Sequence, residues 1–183
     1  MGSYKENETR PRTLAHPGRY NPVRIQQMTS RAGRHIRLSL LPGVSIYDGL
    51  VLPLADLGIQ YASTTILGGI FSELEYCVAP PDPKGGALIA YSAPLKAGLS
   101  QFIFGNATLG TSIKGKPMVH CHAVIRTESG QVKGGHILTE TAIVTQQPIT
   151  VLVTSIDEFS IRQAFDLETN IPLFQPMRGN EDV

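Results

Sequence analysis

From residue 59 to residue 166 the chain consists of short apolar or alternating runs, interrupted again and again by glycine and proline. Eighteen glycines and thirteen prolines in 183 residues leave little room for long helices, so strands are the expected unit. The runs read as strands over 59–67, 73–78, 87–91, 100–109, 118–126, 131–138, 142–154 and 159–166. Between them lie Pro80-Pro81-Asp82-Pro83-Lys84-Gly85-Gly86, Lys114-Gly115-Lys116-Pro117 and Glu128-Ser129-Gly130, whose residues favour turns for known backbone reasons. The doublet Gly68-Gly69 is read as a tight turn or a point of close packing.

Upstream the pattern differs. Residues 1–34 are punctuated by Pro11, Pro17, Gly18, Pro22 and Gly33 without an apolar period, which describes an extended arm. Ile36, Leu38 and Leu40 then alternate with Arg37 and Ser39, as in a half-buried strand closed by Pro42-Gly43. Ser45 with Asp48 three residues on is a helix start, since serine caps the first amides and the acid suits the positive helix end. That helix should run to about Leu57 and stop at Gly58, with Pro53 kinking or shortening it. One early helix followed by consecutive strands defines an α+β single domain. Its expected form is a mostly antiparallel sheet of about seven to eight strands and one main packed helix. The expected bounds are 35–176, with a basic arm before and a short tail, 177–183, after. With 42% hydrophobic residues such a domain has enough core to fold unaided.

Bulk features exclude several classes. No apolar run approaches the roughly 20 residues of a membrane span, and the polar start MGSYKENETRPR is not expected to act as a signal peptide. Cys77 and Cys121 are too few for a disulfide framework, so a reducing cytoplasm is the default location. Charge is unevenly spread. Residues 1–37 hold eight basic side chains against two acidic ones, a balance of +6, and the remainder eight against thirteen, −5. A basic arm on a mildly acidic body suits phosphates, carboxylated ligands or neighbouring subunits, and is equally compatible with a solvated tail. The body lacks the basic stripe of a duplex-binding surface. There is no G-x-G-x-x-G after a strand, no Walker loop, no H-E-x-x-H and no C-x-x-C, so nucleotide cofactors are not expected.

The concentrated chemistry is histidine. Three of the five histidines lie between His120 and His136. On a strand His120 and His122 share a face while Cys121 points the other way, into the core. His136, delivered by the glycine-rich turn Gly134-Gly135-His136, would complete a three-nitrogen set that suits Zn²⁺ and leaves a position open for water or a ligand. The bland alternative is a pair of hydrogen-bonded strand histidines with a third beside a turn. Glycines 134 and 135 would allow close backbone approach or positive φ, or mark an ordinary bulge. Bound zinc requires neutral imidazoles, so occupancy should fall as pH drops through histidine's ordinary value near about 6.5.

Gly115-x-Pro117-x-x-His120-x-His122, followed by Gly130-x-Val132-x-Gly134-Gly135-His136, resembles the core of the PPC domain of plants and prokaryotes. Leu41-Pro42-Gly43 and Phe104-Gly105-Asn106-Ala107 fit the same pattern, so the resemblance covers about residues 36–165. It implies an antiparallel sheet with a packed helix, assembly as a homotrimer, and, as in prokaryotic members, zinc on His120, His122 and His136. Plant members pair the domain with AT-hooks. This chain has no Arg-Gly-Arg-Pro core, Arg10-Pro11-Arg12 being the nearest approach, and bacterial members are often labelled DNA-binding by family name only.

A metal with an open position can activate water or polarise a carbonyl, and catalysis would need a proton-transfer group beside it. Glu140 and Tyr91 are the loose candidates. Each has a plainer reading, as a surface acid and as sheet packing with a wet hydroxyl. His16 and Arg19 of the arm are candidates for a ligand site, Arg19 by pairing with a carboxylate or phosphate. Two classes of function follow: a zinc-bearing trimer binding a small anionic or carbonyl ligand, with or without catalysis, and a nucleic-acid-associated or regulatory protein using its basic arm.

Overall fold

The computed structural model describes residues 14–20 and 27–178. Much of the basic arm and the end of the C-terminal tail therefore lie outside the described residues, Arg10-Pro11-Arg12 among them. The described chain forms β1 His35–Leu40, α1 Ile46–Asp56, β2 Ala62–Ile66, β3 Gly69–Glu73, β4 Glu75–Cys77, β5 Leu95–Lys96 and β6 Ser100–Thr111. It continues as β7 Pro117–Thr127, β8 Val132–Ile137, β9 Ile143–Val144, β10 Ile149–Ser155, β11 Ser160–Asp166 and β12 Ile171–Met177. The main path across the sheet is β1-β10-β2-β6-β7-β8-β4-β5. All ladders are antiparallel except one parallel bridge, Arg162 to Thr111, which ties the β11–β12 hairpin to the end of β6.

The mostly antiparallel α+β domain with one helix is as expected, but the strand number is not: twelve strands are present among the described residues instead of seven to eight. The run 142–154 is two strands, broken around Gln146-Gln147-Pro148, where proline removes a ladder donor. Gly68-Gly69 does not end a strand pair in a turn. Gly69 begins β3, opposite Phe102 of β6, where a Cβ would meet Ile149 at 2.3 Å. The expected strand 87–91 is absent apart from an Ile89–Pro81 bridge.

The start of α1 follows its sequence signals: the Asp48 amide donates to Ser45 Oγ at 3.0 Å. Its end is a left-handed cap. Gly58 has φ +71°, its amide bonds Ala55 O and the Ile59 amide bonds Leu54 O, so the orphan carbonyls are satisfied and Leu54 meets Ile59 in the core. Pro53 does not cut the helix short; the bond to the Gly49 carbonyl is simply forfeited. Ile46, Leu50 and Leu54 are buried on one face of α1, against β1 and β7.

A bulge in β6 sets which face of the sheet is core. Phe102 pairs with Ile125 and Phe104 with Val124, leaving Ile103 unmatched. Buried positions before it are Ser100 and Phe102; after it Gly105, Ala107 and Leu109 face the core, and Gly110 is also buried, closely approached by Ile161 and Phe174. One extra residue thus shifts the inward parity by one, as a period of two requires. β7 has no such break. Val119, Cys121, Ala123 and Ile125 all enter the core beneath α1, and the even-numbered residues face the other side.

Candidate metal centre

That uninterrupted alternation places His120 and His122 together on the outer face of β7, with Cys121 fully buried beneath them as expected. Burial pushes the Cys121 thiol up to about 12, so it stays protonated and inert. His136 lies inside β8, not on a turn, directly opposite His122. The β7–β8 register runs unbroken from Cys121–Ile137 to Arg126–Val132, so Gly134-Gly135 is no bulge. Its purpose is close approach: a Cβ on Gly135 would meet the Cys77 carbonyl at 2.4 Å.

The three imidazoles converge. Ring centroids are 4.9 Å apart for His120–His122, 4.7 Å for His120–His136 and 5.6 Å for His122–His136. One nitrogen from each lies within 4.8 Å of the others. In a tetrahedral zinc site, with Zn–N near 2.0–2.1 Å, the nitrogens stand about 3.3 Å apart, so small ring rotations would close the set. His136 Nδ1 is buried and has no hydrogen-bond partner among the described residues. A buried ring nitrogen without a partner is costly, and a cation is one group that would satisfy it. His120 is held down to about 4, first by burial and then by His136 and His122. His136 is lowered by burial and by His122, against an upward pull from Glu140. Both rings are therefore neutral at physiological pH, the form that ligates a metal. The donor set fits a divalent borderline-soft cation such as zinc.

The histidines open into a cavity of ≈ 780 Å³. Tyr91 stands on one side, its ring 5.3 Å from His136, and Phe174 of β12 on the other, edge-on to His120 at 6.0 Å. Burial, then the neighbouring Cys77, raises the Tyr91 phenol, so it remains a proton donor at neutral pH. Two members of this surround were not legible from spacing. Cys77 pairs in register with His136 and so shares the histidine face, and β12 carries prolines that argue against a strand. Pro172 and Pro176 are tolerated because β12 is an edge strand, paired among the described residues only with β11.

The other sequence candidates separate. Glu140 is exposed, accepts a hydrogen bond from Thr139 and does not line the cavity, although its charge reaches His136. His16 is not in the cavity either: its Nδ1 lies 2.7 Å from Oε1 of buried Glu168. The Gly18 and Arg19 amides bond the carbonyls of Glu168 and Leu167, fastening this part of the arm to the β11–β12 turn. Only glycine fits at 18, where a Cβ would sit 1.9 Å from the Leu167 carbonyl oxygen.

Residues 27–157 match the Plants and Prokaryotes Conserved (PCC) domain, and the chain belongs to that family. Solved structures share the fold. A metal-containing protein from Archaeoglobus fulgidus is 19% identical with a TM-score of 0.63, covering 83% of this chain and 99% of its own. A Ralstonia eutropha JMP134 protein named "Putative DNA-binding protein" is 19% identical with a TM-score of 0.61, covering 85% and 99%. A plant- and prokaryote-conserved protein from Pyrococcus horikoshii is 17% identical with a TM-score of 0.59, covering 82% and 99%. Among curated proteins none matches. No helix among the described residues is long and apolar enough to cross a membrane.

Proposed function

We propose that this protein is a zinc-binding trimer in which His120, His122 and His136 hold the ion and the open position receives a small anionic or carbonyl ligand in the adjoining cavity. The carrying observation is the orphaned, buried Nδ1 of His136 within a convergent set of three imidazoles. The metal-containing protein of the same fold from Archaeoglobus fulgidus supports it. When bound, zinc would polarise a coordinated carbonyl or bind an anion directly. The chain's own part is to hold the imidazoles neutral, to wall the site with Tyr91 and Phe174, and to keep a phenolic proton at hand on Tyr91. Tyr91 is the better placed of the two proton-transfer candidates, since Glu140 lies outside the cavity.

Trimer formation is supported by an exposed apolar strip next to the histidines. Phe104 and Val124 pair across β6 and β7 on the same outer face and are 48% and 42% exposed. The test is elemental analysis with light scattering, followed by a thermal-shift screen of carboxylic acids on the zinc-loaded protein. One zinc per chain, a threefold mass and a stabilising carboxylate are expected. A metal-free monomer that no anion stabilises would overturn the reading.

A further inference from the structure

On the other side of β11 from the histidine cavity lies a second one, of ≈ 530 Å³. It is bounded by the end of α1 and the residues after it, by the β6–β7 hairpin, and by Arg162. Its volume is that of a small-molecule site. Adjacent residues of β11 divide the two spaces, Gln163 lining the first and Arg162 the second.

Arg162 is half-buried, and its Nε–H is shielded from solvent without any acceptor among the described residues. No carboxylate there pairs with its guanidinium either. A guanidinium has five donors and cannot shed its charge, so a half-buried one without an anion is an incomplete arrangement. The surroundings offer hydroxyl and amide groups, Tyr61, Thr111 and Gln60, while the turn that contributes Gly115 carries exposed Lys114 and Lys116 on either side of it. Asp56, on the last turn of α1, is the nearest acid in sequence to the lining and is not part of it.

We propose that this cavity is a second, anion-binding site, in which Arg162 grips the carboxylate or phosphate of a small molecule through Nε and one Nη, independently of the histidine centre. The side-on pairing satisfies the buried Nε and supplies the missing counter-charge together. Arg162 lies on the C-terminal hairpin, beyond the family-matched stretch 27–157, while the rest of the lining lies within that stretch.

The experiment titrates malonate and inorganic phosphate into the 183-residue protein, following arginine Nε–H signals by NMR and affinity by calorimetry. Wild type, Arg162→Met, Arg162→Lys and His122→Ala are compared. Saturable movement of the Arg162 Nε–H signal is expected in wild type and in His122→Ala. Arg162→Met should bind roughly ten- to a hundredfold more weakly, the loss of a charged hydrogen-bonding partner, and Arg162→Lys should recover only part of that. If Arg162→Met fails to fold, the wild-type signal decides alone: saturable movement supports the site and a static signal overturns it. Equal affinity in folded Arg162→Met, or no binding of either anion, overturns it. So does a response lost in His122→Ala and kept in Arg162→Met, which places the anion at the histidines. Dissociation of an oligomer by Arg162→Met, with neither anion bound, would show a carboxylate from a second copy in the cavity and also overturns the proposal.

Discussion

His122 and His136 face each other directly across the β7–β8 ladder with their rings at 85°. Such rings do not stack; they aim from two strands toward common ground, which His120 reaches from two residues away on the same face. His122 is exposed and adds little to the core. His122→Ala should therefore change stability by no more than about 0.5 kcal/mol while weakening zinc binding at least roughly a hundredfold, the upper range for losing even a group that only supports a ligand. Urea unfolding and competition with a chromophoric chelator measure the two. Unchanged zinc affinity would remove His122 from the site.

Acid should act on the metal-free protein through His120. Unfolded histidine titrates near about 6.5 and the folded ring near about 4. Between those values the unfolded chain takes up the proton first, so stability falls as pH drops from about 6.5 to about 4, by something on the order of 1–2 kcal/mol once solvent screening of the partly exposed ring is allowed for. His136, also lowered, adds loss of the same sign. Zinc occupancy should accordingly survive below the 6.5 expected from an unperturbed imidazole. Imidazole C2–H shifts report the titration; a His120 midpoint near 6.5 in the metal-free protein would contradict it.

Cys121 sits between two of the three histidines and belongs to the opposite face. Its fully buried, strongly protonated thiol should resist alkylation in the native protein and react once the chain is unfolded. Cys121→Ala should cost about 1 kcal/mol through a small lost volume and leave zinc stoichiometry unchanged. Loss of zinc with a folded Cys121→Ala would move the ligand set.

The two glycines before His136 are not equivalent. Gly135→Ala drives a Cβ against the Cys77 carbonyl, forcing β4 from β8, and should cost about 1–3 kcal/mol and weaken zinc binding through His136. Gly134→Ala meets only the Ala123 carbonyl, at 3.1 Å, and should cost less. Equal Tm values for the two variants would refute the close-approach explanation.

The histidine face was legible because it depends only on local alternation: expected strands 118–126 and 131–138 lie within a residue of β7 and β8. The helix was legible for the same reason, its cap at Ser45 and its stop at Gly58 being local chemistry. What sequence could not give was register and tertiary cover. Cys77 joins the site only because β4 pairs with β8 at that offset. Phe174 joins it because a proline-bearing edge strand folds back over His120. β3 escaped notice because Gly68-Gly69 left both a tight turn and close packing open; the second holds, Gly69 accommodating Ile149 and Gly68 the Phe102 and Ile103 carbonyls.

X-ray absorption with elemental analysis on the purified, zinc-equilibrated protein tests the central claim most directly. One zinc per chain is expected, with three nitrogen ligands at about 2.0 Å and one lighter oxygen ligand, falling below about a tenth of an equivalent in His136→Ala. Absence of zinc from the folded wild type, or the same zinc content in folded His136→Ala, would contradict a metal centre built on His120, His122 and His136.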